Sequence, residues 1–150
     1  MNAWRVAAKR AARVCTVLLV LTLLAACSEV PLVAKRSRTD DFDAAVKTYG
    51  KLLRWGYYDE AAKVLRARDG SAVDADLTRV ARYRVTGYDI GSKLVADTGR
   101  EGRVVALIEY YDVDSGVVKE LRDEQFWWYD DDTKRWYLGS SLPAFGFARD

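Results

Sequence analysis

The chain has no histidine among its 150 residues, and its two cysteines are Cys15 and Cys27. Structural disulfides, zinc fingers, histidine-ligated metals and Ser/His or Cys/His nucleophiles are therefore excluded by residue supply. The acid–base chemistry that survives pairs a carboxylate with a phenol, the one taking a proton and the other stabilising an oxyanion. Tyr88-Asp89 and Tyr110 to Asp112 have that composition. Successive residues of a strand point to opposite faces, so Tyr88 and Asp89 cannot aim at one substrate. The expectation is a protein that is not an enzyme, with no catalytic residue and no cofactor. Asp130-Asp131-Asp132 offers hard oxygen ligands but lacks the spaced acids of a calcium loop. A polar hairpin turn needs the same residues, so the run is read as a turn and no metal site is expected.

Two stretches remain as candidate sites. Phe126-Trp127-Trp128-Tyr129 would place two aromatic rings on each face of a strand. One pair can enter a core; the other must be covered by the chain's own Leu142, Phe145 and Phe147, by a protein surface rich in such rings, or by an apolar ligand. The second stretch is Cys27 itself, which follows two small residues at the end of a charge-free run.

Met1 to Arg13 is basic, and Val14 to Ala26 is a stretch without charge. This is the pattern of a signal peptide over residues 1–26. As a helix the apolar run would reach only about 20 Å, short of the ~30 Å hydrocarbon core. Four of the 24 basic residues, Arg5, Lys9, Arg10 and Arg13, lie in residues 1–26, leaving 20 basic against 22 acidic side chains in the mature chain. A net charge near −2 gives no general attraction for nucleic acid.

Leu24-Ala25-Ala26-Cys27 resembles the lipobox of bacterial lipoproteins. The resemblance implies cleavage between Ala26 and Cys27, transfer of diacylglycerol to the Cys27 thiol, and further acylation, for instance by palmitate. Several chains anchor a protein stably where one does so only marginally. In such lipoproteins Ser28, rather than aspartate, after the cysteine implies an outer-membrane address facing the periplasm, with inner-membrane retention the lesser alternative. Residues 27–39 read as a lipidated tether. Lys35, Arg36 and Arg38 in it are either a solvated charge run or a contact with anionic headgroups.

Residues 40–150 read as a single domain. Thr39-Asp40-Asp41 suits a helix start, after which Phe42, Val46, Tyr49 and Leu53 recur on one face. Gly56 closes that helix, and Asp59 to Leu65 begins a second. A short helical turn is expected near Asp74 to Thr78. Strand patterns follow over Val80 to Ile90, Lys93 to Ala96, Arg103 to Val113 and Val117 to Tyr129, and Trp136 to Leu138 returns the chain. Gly91-Ser92, Thr98-Gly99 and Asp114 to Gly116 read as turns. Charge pairing favours a register that sets Asp112 opposite Lys119 and Glu109 opposite Arg122.

The expected fold is α+β: an N-terminal helical hairpin packed on a bent antiparallel sheet of about four strands. Tyr49 to Ala61 looks somewhat like one tetratricopeptide unit, but no second copy follows it. By element order, residues 40 to 140 resemble the NTF2-like and cystatin-like folds. That resemblance implies an apolar pocket in the cone between helices and sheet. The expected role is a lipid-anchored envelope lipoprotein acting as a non-catalytic interaction or envelope-maintenance module. Its partners would be the membrane, through Cys27, and a protein or a second copy. The alternative is an NTF2-like carrier or sensor of an apolar small molecule.

Overall fold

A computed structural model describes residues 30–71, 73 and 75–146. The stretches read above as a signal peptide and a lipobox, with Cys27, and Phe147 lie outside the described residues. Residues from Arg36 onward form one compact unit.

Helix α1 runs over Val30–Arg54. It begins well before Thr39, where the hydroxyl and two aspartates suggested a start; Pro31 falls in its first turn, where a missing N–H has no intrahelical acceptor to lose. The four-three-four spacing of apolar residues holds, since Phe42, Val46, Tyr49 and Leu53 are all buried. The helix ends as expected at Gly56, whose φ of 71° is accessible to glycine at little cost. Tyr57 N–H donates to the Leu52 carbonyl at 2.9 Å and Gly56 N–H to that of Leu53 at 3.1 Å, the paired bonds of a Schellman cap.

Helix α2 covers only Tyr58–Ala62. The expected helix to Leu65 stops short because a strand edge claims the next residues. Arg66 N–H donates to the Leu138 carbonyl at 2.9 Å, and Leu138 N–H to that of Val64 at 2.8 Å. A short helix α3, Leu77–Val80, is capped by Asp76, whose side chain accepts from the Arg79 N–H.

Four strands follow, β1 (Tyr83–Val95), β2 (Glu101–Asp112), β3 (Val118–Asp130) and β4 (Arg135–Leu138). They form an antiparallel sheet in the order β1-β2-β3-β4. The class is therefore α+β. Gly91-Ser92, expected to be a turn, is instead a register shift within one continuous β1, and a second shift lies between Val85 and Gly87. Such bulges add a residue to one strand without breaking the pairing.

The β2–β3 register also differs from the charge-paired one. Tyr110 stands opposite Lys119, Glu109 opposite Glu120 and Leu107 opposite Arg122. The slip is two residues, which preserves every side chain's face. Turn chemistry decides it: the Asp112 carboxylate accepts from the backbone N–H of Asp114 at 2.9 Å and of Ser115 at 3.3 Å. Those bonds lower the Asp112 carboxyl's pKa from its ordinary value, and its ion-pair partner is Arg82, at 3.7 Å.

On β2 the residues Val104, Ala106, Ile108 and Tyr110 are buried, as are Leu121, Asp123, Gln125 and Trp127 on β3. This inner face carries the core, with α1 packed on it. Phe42 meets Trp127 edge-on at 6.2 Å and Trp136 at 4.6 Å between ring centroids.

Candidate functional site

The aromatic run on β3 divides as strand geometry requires, but both halves find partners within the chain. Trp127 faces inward against Phe42 and against Tyr49, the latter at 5.7 Å. Tyr129 lies beside Trp136 at 5.6 Å, with the Arg38 guanidinium 5.8 Å from its ring centroid. On the outer face, Trp128 stacks near Tyr137 at 5.4 Å. Its indole N–H donates to the Arg66 carbonyl at 2.7 Å, and the Arg66 guanidinium spans both rings, 6.0 Å from Trp128 and 5.1 Å from Tyr137.

Among the described residues, the tail does not cover this outer pair. Phe145 is buried on the inner face, 4.8 Å from Tyr110 and 5.6 Å from Tyr83. Arg79 donates to its carbonyl at 3.2 Å. The segment after α2, through Arg66, covers Trp128 instead. Phe126 borders an outer-face cleft of about 380 Å³ shared with Leu94 and Arg103. The Arg103 guanidinium stands 5.8 Å from the Phe126 ring.

A second cluster was not anticipated. Asp123 and Gln125 are buried polar side chains on the inner face of β3. Gln125 Nε2 donates to Asp123 Oδ2 at 2.8 Å and reaches Tyr88 Oη at 3.0 Å. The Trp127 indole N–H donates to Gln125 Oε1 at 3.1 Å. Tyr88, from β1, and Tyr49, from α1, complete the cluster. Burial pushes the Tyr88 hydroxyl's pKa up; the Gln125 hydrogen bond opposes this and the Asp123 charge adds to it. Burial likewise raises Tyr49, with Asp123 and Tyr88 contributing. Both phenols are protonated donors at neutral pH, yet the buried Tyr49 hydroxyl has no hydrogen-bond partner among the described residues.

Gly50 makes this arrangement possible. A Cβ there would lie 2.6 Å from the Tyr88 ring, so only glycine lets β1's tyrosine slide under α1. A groove of about 180 Å³ opens above that ring, bordered by Lys47, Lys51, Arg54 and Ile90. It reaches Tyr88 but is not lined by Asp123 or Tyr49. The parity of β3 could have exposed the cluster, because Leu121, Asp123, Gln125 and Trp127 alternate in phase.

The other sequence candidates separate. Tyr88 points inward while Asp89 is exposed, as the alternation of a strand demands. The Asp130 carboxylate accepts from the Asp132 N–H at 2.9 Å and the Thr133 hydroxyl at 3.0 Å. Asp131 pairs with Arg100 at 2.7 Å. These acids serve the β3–β4 turn, and among the described residues no three His, Cys, Asp or Glu side chains converge as a metal site. No helix among the described residues is long and apolar enough to cross a membrane.

No protein-family model matches the sequence, and neither a curated protein nor a solved structure matches it significantly.

Proposed function

We propose that this chain is the precursor of a bacterial lipoprotein, cleaved after Ala26 and held on the membrane by lipid on Cys27. The observation that carries the reading is the charge-free run Val14 to Ala26 ending on Leu24-Ala25-Ala26-Cys27, behind a basic leader. The outer membrane, facing the periplasm, is the address that Ser28 supports. In this reading the α+β domain is a non-catalytic interaction or envelope-maintenance module, with a protein or a second copy as its further partner. Exposed apolar side chains on the outer sheet face support such a partner, Leu94 being 70% and Leu107 50% exposed.

The finer architecture, α1 and α2 as a helical hairpin closing over a bent sheet in the NTF2-like manner, belongs to the same proposal. So does its alternative role, a carrier of an apolar small molecule. The buried polar cluster around Gln125 favours that second reading, since ligand sites set a few polar groups in apolar surroundings. The groove above Tyr88 weighs against it, because about 180 Å³ is below the ~300–1,000 Å³ usual for such sites.

Radiolabelled palmitate fed to cells expressing the chain tests the anchor. Wild type should incorporate label and run as the shorter, processed form; Cys27→Ser should stay at precursor length and unlabelled. Equal labelling of the two would refute the reading. Native mass spectrometry of the processed protein separates module from carrier, through a dimer in one case and a co-purifying ligand in the other.

A further inference from the structure

Several cations outside α1 have an acid beside them, among them Arg66 with Asp130, Arg68 with Glu101, Lys93 with Asp43 and Arg100 with Asp131. The last turns of α1 differ. Lys47, Lys51 and Arg54 lie at spacings of four and three, which sets them on one stripe of the helix. All three are exposed. None of the ion pairs among the described residues involves them. Among the described residues no carboxylate lines the groove they border, where they meet Ile90, 40% exposed.

The stripe ends at a tip that presents aromatic rings to solvent. The Schellman cap at Gly56 turns the chain sharply, leaving Trp55 73% and Tyr57 57% exposed on either side of it. These rings are unlike the other described tryptophans, since Trp127, Trp128 and Trp136 are all buried.

We propose that this cationic stripe and its Trp55–Tyr57 tip form a docking surface for an anionic lipid bilayer. Phosphate headgroups neutralise Lys47, Lys51 and Arg54, and the two rings enter the headgroup zone. Charge complementarity names the occupant. Trp and Tyr favour the membrane–water interface, where ring and polar edge are both satisfied. Each nearby cation adds attraction to an anionic leaflet. A protein partner fits less well, because lysine is depleted at protein interfaces. A small ligand fits less well still: the hollows along the stripe are open, one of about 180 Å³ and one of about 530 Å³ bounded by only Lys51, Arg54 and Trp55. The surface adds a second membrane contact to the lipoprotein reading without depending on the lipid at Cys27.

The test uses the full chain carrying Trp4→Phe, reconstituted in vesicles of phosphatidylcholine alone or mixed with phosphatidylglycerol. Tryptophan emission and its quenching by bromine-labelled lipid are the readouts, to which the exposed Trp55 responds most. Phosphatidylglycerol should shift the emission to the blue and raise quenching severalfold. Lys51→Glu should weaken that gain, and the triple variant Lys47→Glu, Lys51→Glu, Arg54→Glu should weaken it roughly tenfold or more. High salt should do likewise, and Trp55→Phe should remove the response, assigning it to the tip. All these side chains are exposed, so circular dichroism should stay unchanged and serve as the folding control. Emission indifferent to phosphatidylglycerol, or equal quenching in the triple variant, overturns the proposal. A lipid-insensitive chain that instead cross-links to a defined acidic protein, with the cross-link lost in the triple variant, also overturns it. Palmitate labelling at Cys27 should be the same in all these variants, so failure of the docking surface and failure of the lipid anchor are read separately.

Discussion

Tyr88 shows how one residue can tie three elements together. Its ring slides under Gly50 of α1 and its hydroxyl meets Gln125 of β3, while its own strand supplies the sheet edge. Because burial raises the hydroxyl pKa of both Tyr88 and Tyr49 above the ordinary tyrosine value, the folded state holds these protons more tightly than the unfolded chain does. Stability is then insensitive to this pair below about pH 10 and falls as pH rises above it, by up to about 1.4 kcal/mol per pH unit for each phenol. Tyr58, also raised by burial, adds to the same fall. Urea midpoints measured from pH 8 upward should show a plateau and then this decline. Tyr88→Phe should make the decline shallower while costing about 1 kcal/mol at neutral pH for the lost hydrogen bond. The participants were partly legible: Tyr88's separation from Asp89 follows from alternation alone, and the parity of Asp123 with Leu121 and Trp127 was there to be used. That Gln125 would bridge them was not legible, because the bridge joins β1 to β3 across β2.

Among the elements, the C-terminal segment matters most for what was misplaced. The outer aromatics Phe126 and Trp128 needed cover, and the tail's Leu142 and Phe145 were apolar and near in sequence. The chain uses them elsewhere, Phe145 over Tyr83 and Tyr110 on the inner face and Leu142 in the same core, and closes Trp128 with the strand-like segment Val64 to Arg66 beside β4. Deleting the buried Phe145 ring should therefore open the core: Phe145→Ala should cost about 3–5 kcal/mol, a large part of the ~5–15 kcal/mol typical of a folded domain. The midpoint of denaturant unfolding checks it. Association measured by size exclusion should not change, because the ring is on the inner face. The register between β2 and β3 carries the same lesson on a smaller scale. Opposite charges favoured one pairing, each pair being worth only ~0.2–1 kcal/mol. The Asx-type bonds from Asp112 at the turn favoured another, and the backbone bonds prevailed.

At the scale of the whole molecule, the buried core runs from Phe42 to Phe145 and lies within the unit that starts at Arg36. A chain comprising residues 36–150 should therefore fold without the residues before it, cooperatively and with a mixed α/β circular dichroism spectrum. Its denaturation midpoint should match that of a chain starting at Ser28. A disordered or molten product would mean that residues before Arg36 contribute to the core. What the sequence by itself determined is whatever depends on residue type and local period. The absent histidine limits the chemistry, the four-three-four stripe makes α1, Gly56 ends it, and alternation assigns strand faces. These rest on backbone sterics and side-chain spacing, which act over a few residues. Only the tertiary structure decided which partner each exposed edge or ring would take: that β4's edge would shorten α2, that the tail's Phe145 would close the inner face, and that Lys47, Lys51 and Arg54 would be left without acids among the described residues. Those outcomes are competitions among segments distant in the chain, and their winners are set by packing and hydrogen-bond geometry that no local pattern encodes.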